Sequence, residues 1–324
     1  MLERARIPVP RALERTGGIQ AQYAPSMYVG LWSRVEGFER DDLTRALERR
    51  AVVQGTLMRV TIHLVAAGDY WPFAVAIREA RRELWLRGGR KRPSAGELAA
   101  AAARLRSRLV QGPVARAELE EIVGKERVNA VGLWLDLVRV PPSGTWERRR
   151  ADLYAAAEEW LGPPQLTPDE SIEHLVRRYL EGFGPAAPAE IADWAGLRPK
   201  RIAPALERLR LRRFRSETGK ALADLARAPL PHPDTPAPPR FLPVWDSTLL
   251  AHARRTGILP EEHRPRVFNV RTPQSVNTFL VDGAVAGTWR YDKGRIRVEP
   301  FRRLTRATRR ALDEEAERLA AFHA

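Results

Sequence analysis

The chain has 324 residues, 44% of them hydrophobic, with 55 Lys plus Arg against 40 Asp plus Glu, a net charge of +15 and no cysteine. That length allows two or three domains with a sizeable core, and the lack of cysteine excludes disulfides, thiolate metal sites and a thiol nucleophile. The excess positive charge favours a polyanionic partner, most often nucleic acid. Of the 55 basic residues only five are lysines, and GC-rich codon usage accounts for that ratio as readily as fork-like phosphate recognition does. None of the six histidines pairs at the i, i+4 spacing of a zincin motif. The start Met1-Leu2-Glu3-Arg4 is unlike a signal peptide, and no apolar run reaches the ~20 residues of a membrane span. The expectation is a cytoplasmic, nucleoid-associated protein with no metal and no cofactor.

Residues 1–90 alternate helix and strand signals and read as a first module. Asp41-Asp42-Leu43 opens a helix with acids in its first turn, and 56–66 reads as one strand rich in β-branched residues. In that strand Thr61, His63 and Val65 share a face, opposite Ile62, Leu64 and Ala66. Residues 91–160 read as a second module. Ser94 with Glu97 has capping-box spacing, and the helix that follows runs toward Leu109 before Gly112-Pro113. Helices at about 115–123 and 126–136 precede a hairpin in which 137–140 and 145–148 are the strands. Three helices followed by a hairpin is the order of a winged helix. Residues 165–228 repeat it, with helices from Pro168, from Pro188 to Gly196 and over 199–210, then strands 211–215 and 221–225.

Seven prolines between 228 and 243 mark an extended linker over 229–243. Residues 244–324 change character. Asp282-Gly283 and Asp292-Lys293-Gly294 divide three strand-like runs into a meander, and a helix starts at Thr305. The fold class is therefore α+β: tandem winged-helix motifs with a C-terminal antiparallel β region.

Two basic clusters stand out. Residues 198–215 carry eight cations, among them Lys200, Arg201 and Arg208, against the single acid Glu207. On a recognition helix and wing these reach phosphates or base edges; the alternative is a solvated charged face. Arg81, Arg82, Arg87, Arg90, Lys91 and Arg92 form a second cluster, which reads equally as a linker or a DNA arm. Near the end, Arg306, Arg309 and Arg310 lie in the first turns of the last helix and oppose its dipole. A phosphate neighbour would explain them, and so would i, i+4 pairing with Asp313 and Glu314.

Gln20-Ala21-Gln22 is the candidate site. In an extended segment the two glutamines point the same way; in a helix they do not face each other. A surface or capping role is the competing reading. The run Val29-Gly30-Leu31-Trp32-Ser33-Arg34 after it, with 55–65 around Thr61 and His63, resembles the AlkZ/YcaQ-like DNA glycosylases. So do Leu242-Pro243-Val244-Trp245-Asp246-Ser247 and the stretch 281–289.

The resemblance spans nearly the whole chain. It implies a C-shaped arrangement of winged-helix motifs around duplex DNA, working as a monomer without metal. It also implies catalytic residues Gln20 and Gln22, matching the Gln-hydrophobic-Gln pattern of the AlkZ-like branch. Thr61 and His63 would hold the DNA backbone, with Arg59 a candidate phosphate contact. The family pattern has a further helix before Pro8-Val9-Pro10 that is mostly missing here, which suggests an incomplete first module or a misassigned start.

A glutamine does not ionise near neutral pH, so it is no general base. It can orient a water and stabilise an oxocarbenium-like sugar through its carbonyl dipole. That suffices where the base leaves easily, as cationic N7- or N3-alkyl purines do. The expected function is hydrolysis of the N-glycosidic bond of alkylated purines in duplex DNA, crosslinked ones among them; the resemblance implies a role in repair or self-resistance to a DNA-alkylating natural product. The rivals are a non-enzymatic tandem winged-helix regulator and a general nucleic-acid scaffold.

Overall fold

The computed structural model describes residues 3–88, 92–252, 256–269 and 274–324. Helix α1 (Val9–Arg15) carries a proline in its first turn. Gly17 and Gly18, at φ 59° and 85°, then turn the chain into the short strand β1 (Ile19–Gln20). A Cβ on Gly18 would lie 2.7 Å from Val65 Cγ1, so the approach of β1 to its neighbour needs glycine there. Helix α2 (Ala24–Trp32) is buried throughout, and α3 (Arg40–Glu48) follows, with Asp42 accepting the Glu39 amide at 2.9 Å.

The single strand expected over 56–66 is instead a hairpin of β2 (Val52–Thr56) and β3 (Ile62–Ala66). Its turn puts Arg59 and Val60 at φ 53° and 59°, which no glycine or asparagine signals in advance. Helix α4 (Ala67–Leu86) leads to α5 (Ala95–Leu109), whose Ser94–Glu97 capping box forms as the spacing predicts. Strand β4 (Val114–Ala115) and helices α6 (Arg116–Val123) and α7 (Val128–Val131) come next. The helix expected over 126–136 shrinks to one turn, because β-branched Val128 and Val131 and then Gly132 give it little propensity.

Strand β5 (Leu137–Arg139) is where it was expected, but its partner is β6 (Leu153–Ala156), not 145–148. Pro141-Pro142 cannot donate to a ladder. The 141–152 loop is closed instead by Ser143, whose Oγ donates to Arg150 O at 2.9 Å and accepts from Asp152 N at 2.6 Å. Trp146 in that loop packs edge-on against Tyr28, ring centroids 5.5 Å apart.

After α8 (Ala157–Leu161), the stretch 168–225 follows the expected order closely. It holds α9 (Pro168–Phe183) with a Thr167–Glu170 capping box, α10 (Pro188–Ala195) ending on left-handed Gly196, and α11 (Pro199–Arg208). Strands β7 (Leu211–Arg215) and β8 (Ala221–Leu225) close it as a two-stranded hairpin.

The proline-rich stretch ends inside the next unit. Its residues 240–242 are strand β9 (Arg240–Leu242), buried and paired with β12 (Thr278–Val281). Between them lie α12 (Ser247–Leu250), α13 (Arg264–Val267) and the small pair β10 (Phe268–Asn269) and β11 (Gln274–Ser275). Strands β13 (Ala284–Asp292) and β14 (Arg295–Pro300) complete a four-stranded sheet ordered β14-β13-β12-β9. Asp282 and Gly283 both take positive φ, the type I′ geometry that the Asp-Gly pair predicts. Helix α14 (Arg306–His323) closes the chain. Arg309 and Arg310 pair with Asp313 and Glu314 at 3.2 and 3.0 Å, so local pairing explains them without a phosphate.

The architecture is thus mixed α and β with antiparallel sheets. The larger sheet has six strands in the order β1-β3-β2-β5-β6-β4 and runs across the boundary at residue 90. Its two faces serve two cores. Val53 and Val65 face Tyr70 and the helices α9 to α11; Ile19, Val52 and Leu64 face α2, Phe241 and Leu319 of α14. Arg34 of the α2 end ties the C-terminal unit down through two bonds to buried Asp246, at 2.7 and 2.9 Å.

Candidate functional site

Strand β1 is an edge of the six-stranded sheet and pairs with β3 in the register Ile19↔Leu64, Gln20↔His63. The Ala21 amide donates to Ile62 O at 2.8 Å and carries the ladder one residue further, setting Gln22 across from Thr61. Alternation does the rest. Ile19, Ala21 and Leu64 turn to the core under α2, while Gln20, Gln22, Thr61 and His63 share the opposite face. The extended geometry therefore points both glutamines the same way. Gln20 is 7% exposed and Gln22 is open to solvent. Gln20 Nε2 donates to Gln22 Oε1, which leaves the Gln20 carbonyl oxygen and the Gln22 amide without partners among the described residues.

Behind the pair lies His63, 3% exposed. Its Nδ1 lies 3.0 Å from Thr61 O and 3.5 Å from Thr61 Oγ1, and Thr61 Oγ1 itself donates to Met58 O at 3.0 Å. Burial pushes the imidazole down to about 3, and the nearby Arg59 charge adds to the effect. His63 is thus neutral at physiological pH, with Nδ1–H donating to the Thr61 carbonyl. Gly55, its partner on β2, leaves room for Tyr70, whose ring a Cβ there would meet at 2.5 Å. Burial also raises the Tyr70 hydroxyl, so it stays protonated.

The other sequence candidates lie elsewhere. Arg59 turns away from solvent and donates to Trp194 O at the end of α10; burial lowers its pKa, opposed by the charge of Asp193. It braces the hairpin against α10, where a Cβ on Gly196 would come within 3.3 Å of the Arg59 backbone nitrogen. Lys200 and Arg201 are exposed on α11 and line a cleft of about 410 Å³ against α4, with Arg78, Arg87 and Arg198. Arg201 and Arg198 lie 3.7 and 4.0 Å from Glu79 and Glu83; Lys200 has no ion-pair partner among the described residues. Arg208 does not line the cleft and pairs with Glu173 at 3.2 Å. No bond joins these three cations to the glutamine pair among the described residues.

The 81–92 cluster divides: Arg81 is buried and Arg82 half-buried, while Arg87 and Arg92 are exposed. Arg81 bonds Asp136 and the Thr56 carbonyl, Arg82 donates to Leu133 O at 2.8 Å, and Arg92 lies over Trp85 at 4.5 Å. Arg90 and Lys91 lie outside the described residues, as do Met1 and Leu2.

The sequence missed two features beside the glutamines. One is the Arg34–Asp246 tie, which spans 212 positions. The other is an aromatic cleft lined by Tyr23, Trp146, Trp289, Tyr291 and His323, whose rings come from distant parts of the chain. Only Trp289 and Tyr291, two apart on one strand, gave a local signal. Among the described residues no cluster of three or more His, Asp or Glu could hold a metal, and no helix is long and apolar enough to cross a membrane.

A non-ionising amide pair on a sheet edge, in a chain of net charge +15, suits chemistry on a polyanion. The chain is a DNA glycosylase by family. It belongs to the AlkZ-like family, described as DNA glycosylase AlkZ-like, whose model matches residues 13–322. Its fold is similar to that of the Streptomyces sahachiroi DNA glycosylase AlkZ, with a TM-score of 0.82 over 99% of this chain and 92% of that one, at 17% identity. No curated protein matches the chain.

Proposed function

We propose that this glycosylase is monofunctional and hydrolyses the N-glycosidic bond of N7- or N3-alkylated purines in duplex DNA, crosslinked purines included. Its role would be repair or self-resistance against a DNA-alkylating natural product. The observation that carries the reading is the bonded Gln20–Gln22 pair at the open sheet edge, backed by a neutral His63. With no carboxylate on β1 or β3 and His63 held neutral, the site has no charged acid with which to drive off a poor leaving base. It can hold a water and offer carbonyl dipoles to a developing positive sugar.

In the reaction the water oxygen bonds to C1′ as the C1′–N bond breaks. The bonding pair leaves with the base, which departs neutral because the alkyl group had made it cationic, and the water's proton passes to solvent. Gln20 and Gln22 place and polarise the water. Thr61 is the DNA-backbone contact, and buried His63 fixes the strand behind Gln20.

Residues 1–90, 91–160 and 165–228 would act as three winged-helix modules, followed by a linker at 229–239 and a β unit that begins with β9. Lys200 and Arg201 would grip phosphates from the third module, with Arg59 bracing the hairpin and Arg208 contributing field. The protein would work on the nucleoid as a monomer. The test is a duplex panel carrying N7-methylguanine, N3-methyladenine or uracil at one position, read by alkali cleavage of abasic sites. Excision of the first two and not of uracil is expected. Excision of uracil at a comparable rate would sink the leaving-group argument.

A further inference from the structure

The chain that leaves the glutamine pair runs directly into the aromatic cleft, since Tyr23 follows Gln22. The rings that line this space of about 380 Å³ come from four parts of the molecule: the entry to α2, the 141–152 loop, strand β13 and the end of α14. Trp146 and Trp289 are each 6% exposed and are locked in place, Trp289 by an indole bond to Leu242 O at 3.0 Å. They form a fixed floor. Tyr23 and Tyr291 are 45% and 41% exposed at the mouth, the Tyr23 hydroxyl 3.5 Å from Arg149 Nη1. Tyr291 stacks on His323 with centroids 4.5 Å apart and planes 15° from parallel. One more flat ring would extend that stack.

A second observation points to a ligand. Ser26 lines the same cleft, is 3% exposed, and its Oγ has no hydrogen-bond partner. His323 Nε2 is likewise buried and unpartnered. Burial, then the charges of Arg149 and Arg40, push His323 down to about 4, so its ring is neutral near pH 7. Arg149 and Arg290 also line the cleft and suit the phosphates that flank a DNA-borne ring.

We propose that this cleft is a stacking subsite for a neutral planar aromatic ring carried on the DNA beside the excised position. The ring is either an aryl substituent of the lesion or a base displaced from the stack. This deepens the glycosylase reading of the glutamine pair and rests on it for the position of the DNA.

The test is the affinity of the Tyr23→Ala/Tyr291→Ala variant for three duplexes at one salt concentration: undamaged, N7-methylguanine and N7-benzylguanine. Fluorescence anisotropy gives the binding, and alkali cleavage afterwards gives the excision. Loss of a stacking partner should weaken binding by about 10- to 100-fold. A loss confined to the benzyl duplex supports the aryl substituent, and an equal loss on both lesion duplexes supports the displaced base. The Tyr23→Phe/Tyr291→Phe variant keeps the rings and should bind like wild type. Unchanged affinity for all three duplexes overturns the subsite, as does a loss of equal size on undamaged DNA. If wild type excises neither lesion yet ring-dependent binding persists, the glycosylase reading fails and the subsite stands.

Discussion

His63 links the candidate site to the stability of the whole chain. Burial and the Arg59 charge hold its imidazole at about 3, against 6.5 for an unperturbed histidine. The unfolded chain therefore takes up a proton below about pH 6.5, while the folded chain does so only in strong acid. Between those values the unfolded state binds more protons. Stability rises with pH across that window and is lost on acidification. One such group gives a slope of about 1.4 kcal/mol per pH unit, so moving from about pH 7.5 to about pH 5 costs roughly 2 kcal/mol through His63 alone. His63→Gln keeps a hydrogen-bonding side chain and cannot titrate. Urea unfolding of both proteins at the two pH values should show the variant losing about 2 kcal/mol less than wild type on acidification. Parallel losses would refute the buried neutral histidine, and with it the positioning role behind Gln20.

The Arg34–Asp246 tie is strongly asymmetric. Burial works to raise the Asp246 carboxyl, but the Arg34 charge and bonds, with help from Thr248, outweigh it and hold the group below the usual range. Arg34→Ala strands that carboxylate and should cost about 3–5 kcal/mol in urea unfolding, and adding Asp246→Asn should recover part of the loss. On DNA, Lys200→Ala and Arg201→Ala should each lower the slope of log affinity against log salt by about 1, measured on an undamaged duplex. Arg208→Ala should lower it less, because Glu173 already occupies that guanidinium.

Local chemistry was legible in the sequence wherever a few neighbouring residues decide the backbone. Ser94 with Glu97, Gly196 after α10 and Asp282-Gly283 each carry their own stop or start signal, and each forms as read. The misreadings arise where a distant partner decides. Arg59 and Val60 adopt left-handed backbone because β2 and β3 must meet, and the β-branched run around them hides the turn. Thr145-Trp146 looks like a strand, yet Trp146 is drawn into the core against Tyr28 and the ladder resumes only at Leu153. Residues 240–242 read as linker because prolines surround them, but Phe241 and Leu242 are fully buried in the C-terminal sheet.

The site was legible in the same uneven way. Gln20 and Gln22 stood out through resemblance, and period-2 alternation correctly gave their shared direction once the segment was extended. That His63 would be buried, and that Arg59 would bond the Trp194 carbonyl, depends on α10 packing against the hairpin. Neither contact leaves a trace at short spacing. The aromatic cleft draws on positions from Tyr23 to His323, so only the folded chain brings its rings together.

The central claim is that the Gln20–Gln22 pair performs the hydrolysis. The most direct measurement is single-turnover excision of N7-methylguanine from a duplex by wild type and by Gln20→Ala/Gln22→Ala, with duplex binding measured in parallel. The double variant is expected to bind DNA as wild type does and to lose excision by about 100-fold or more. Excision by the variant at the wild-type rate would contradict it and place the chemistry elsewhere in the molecule.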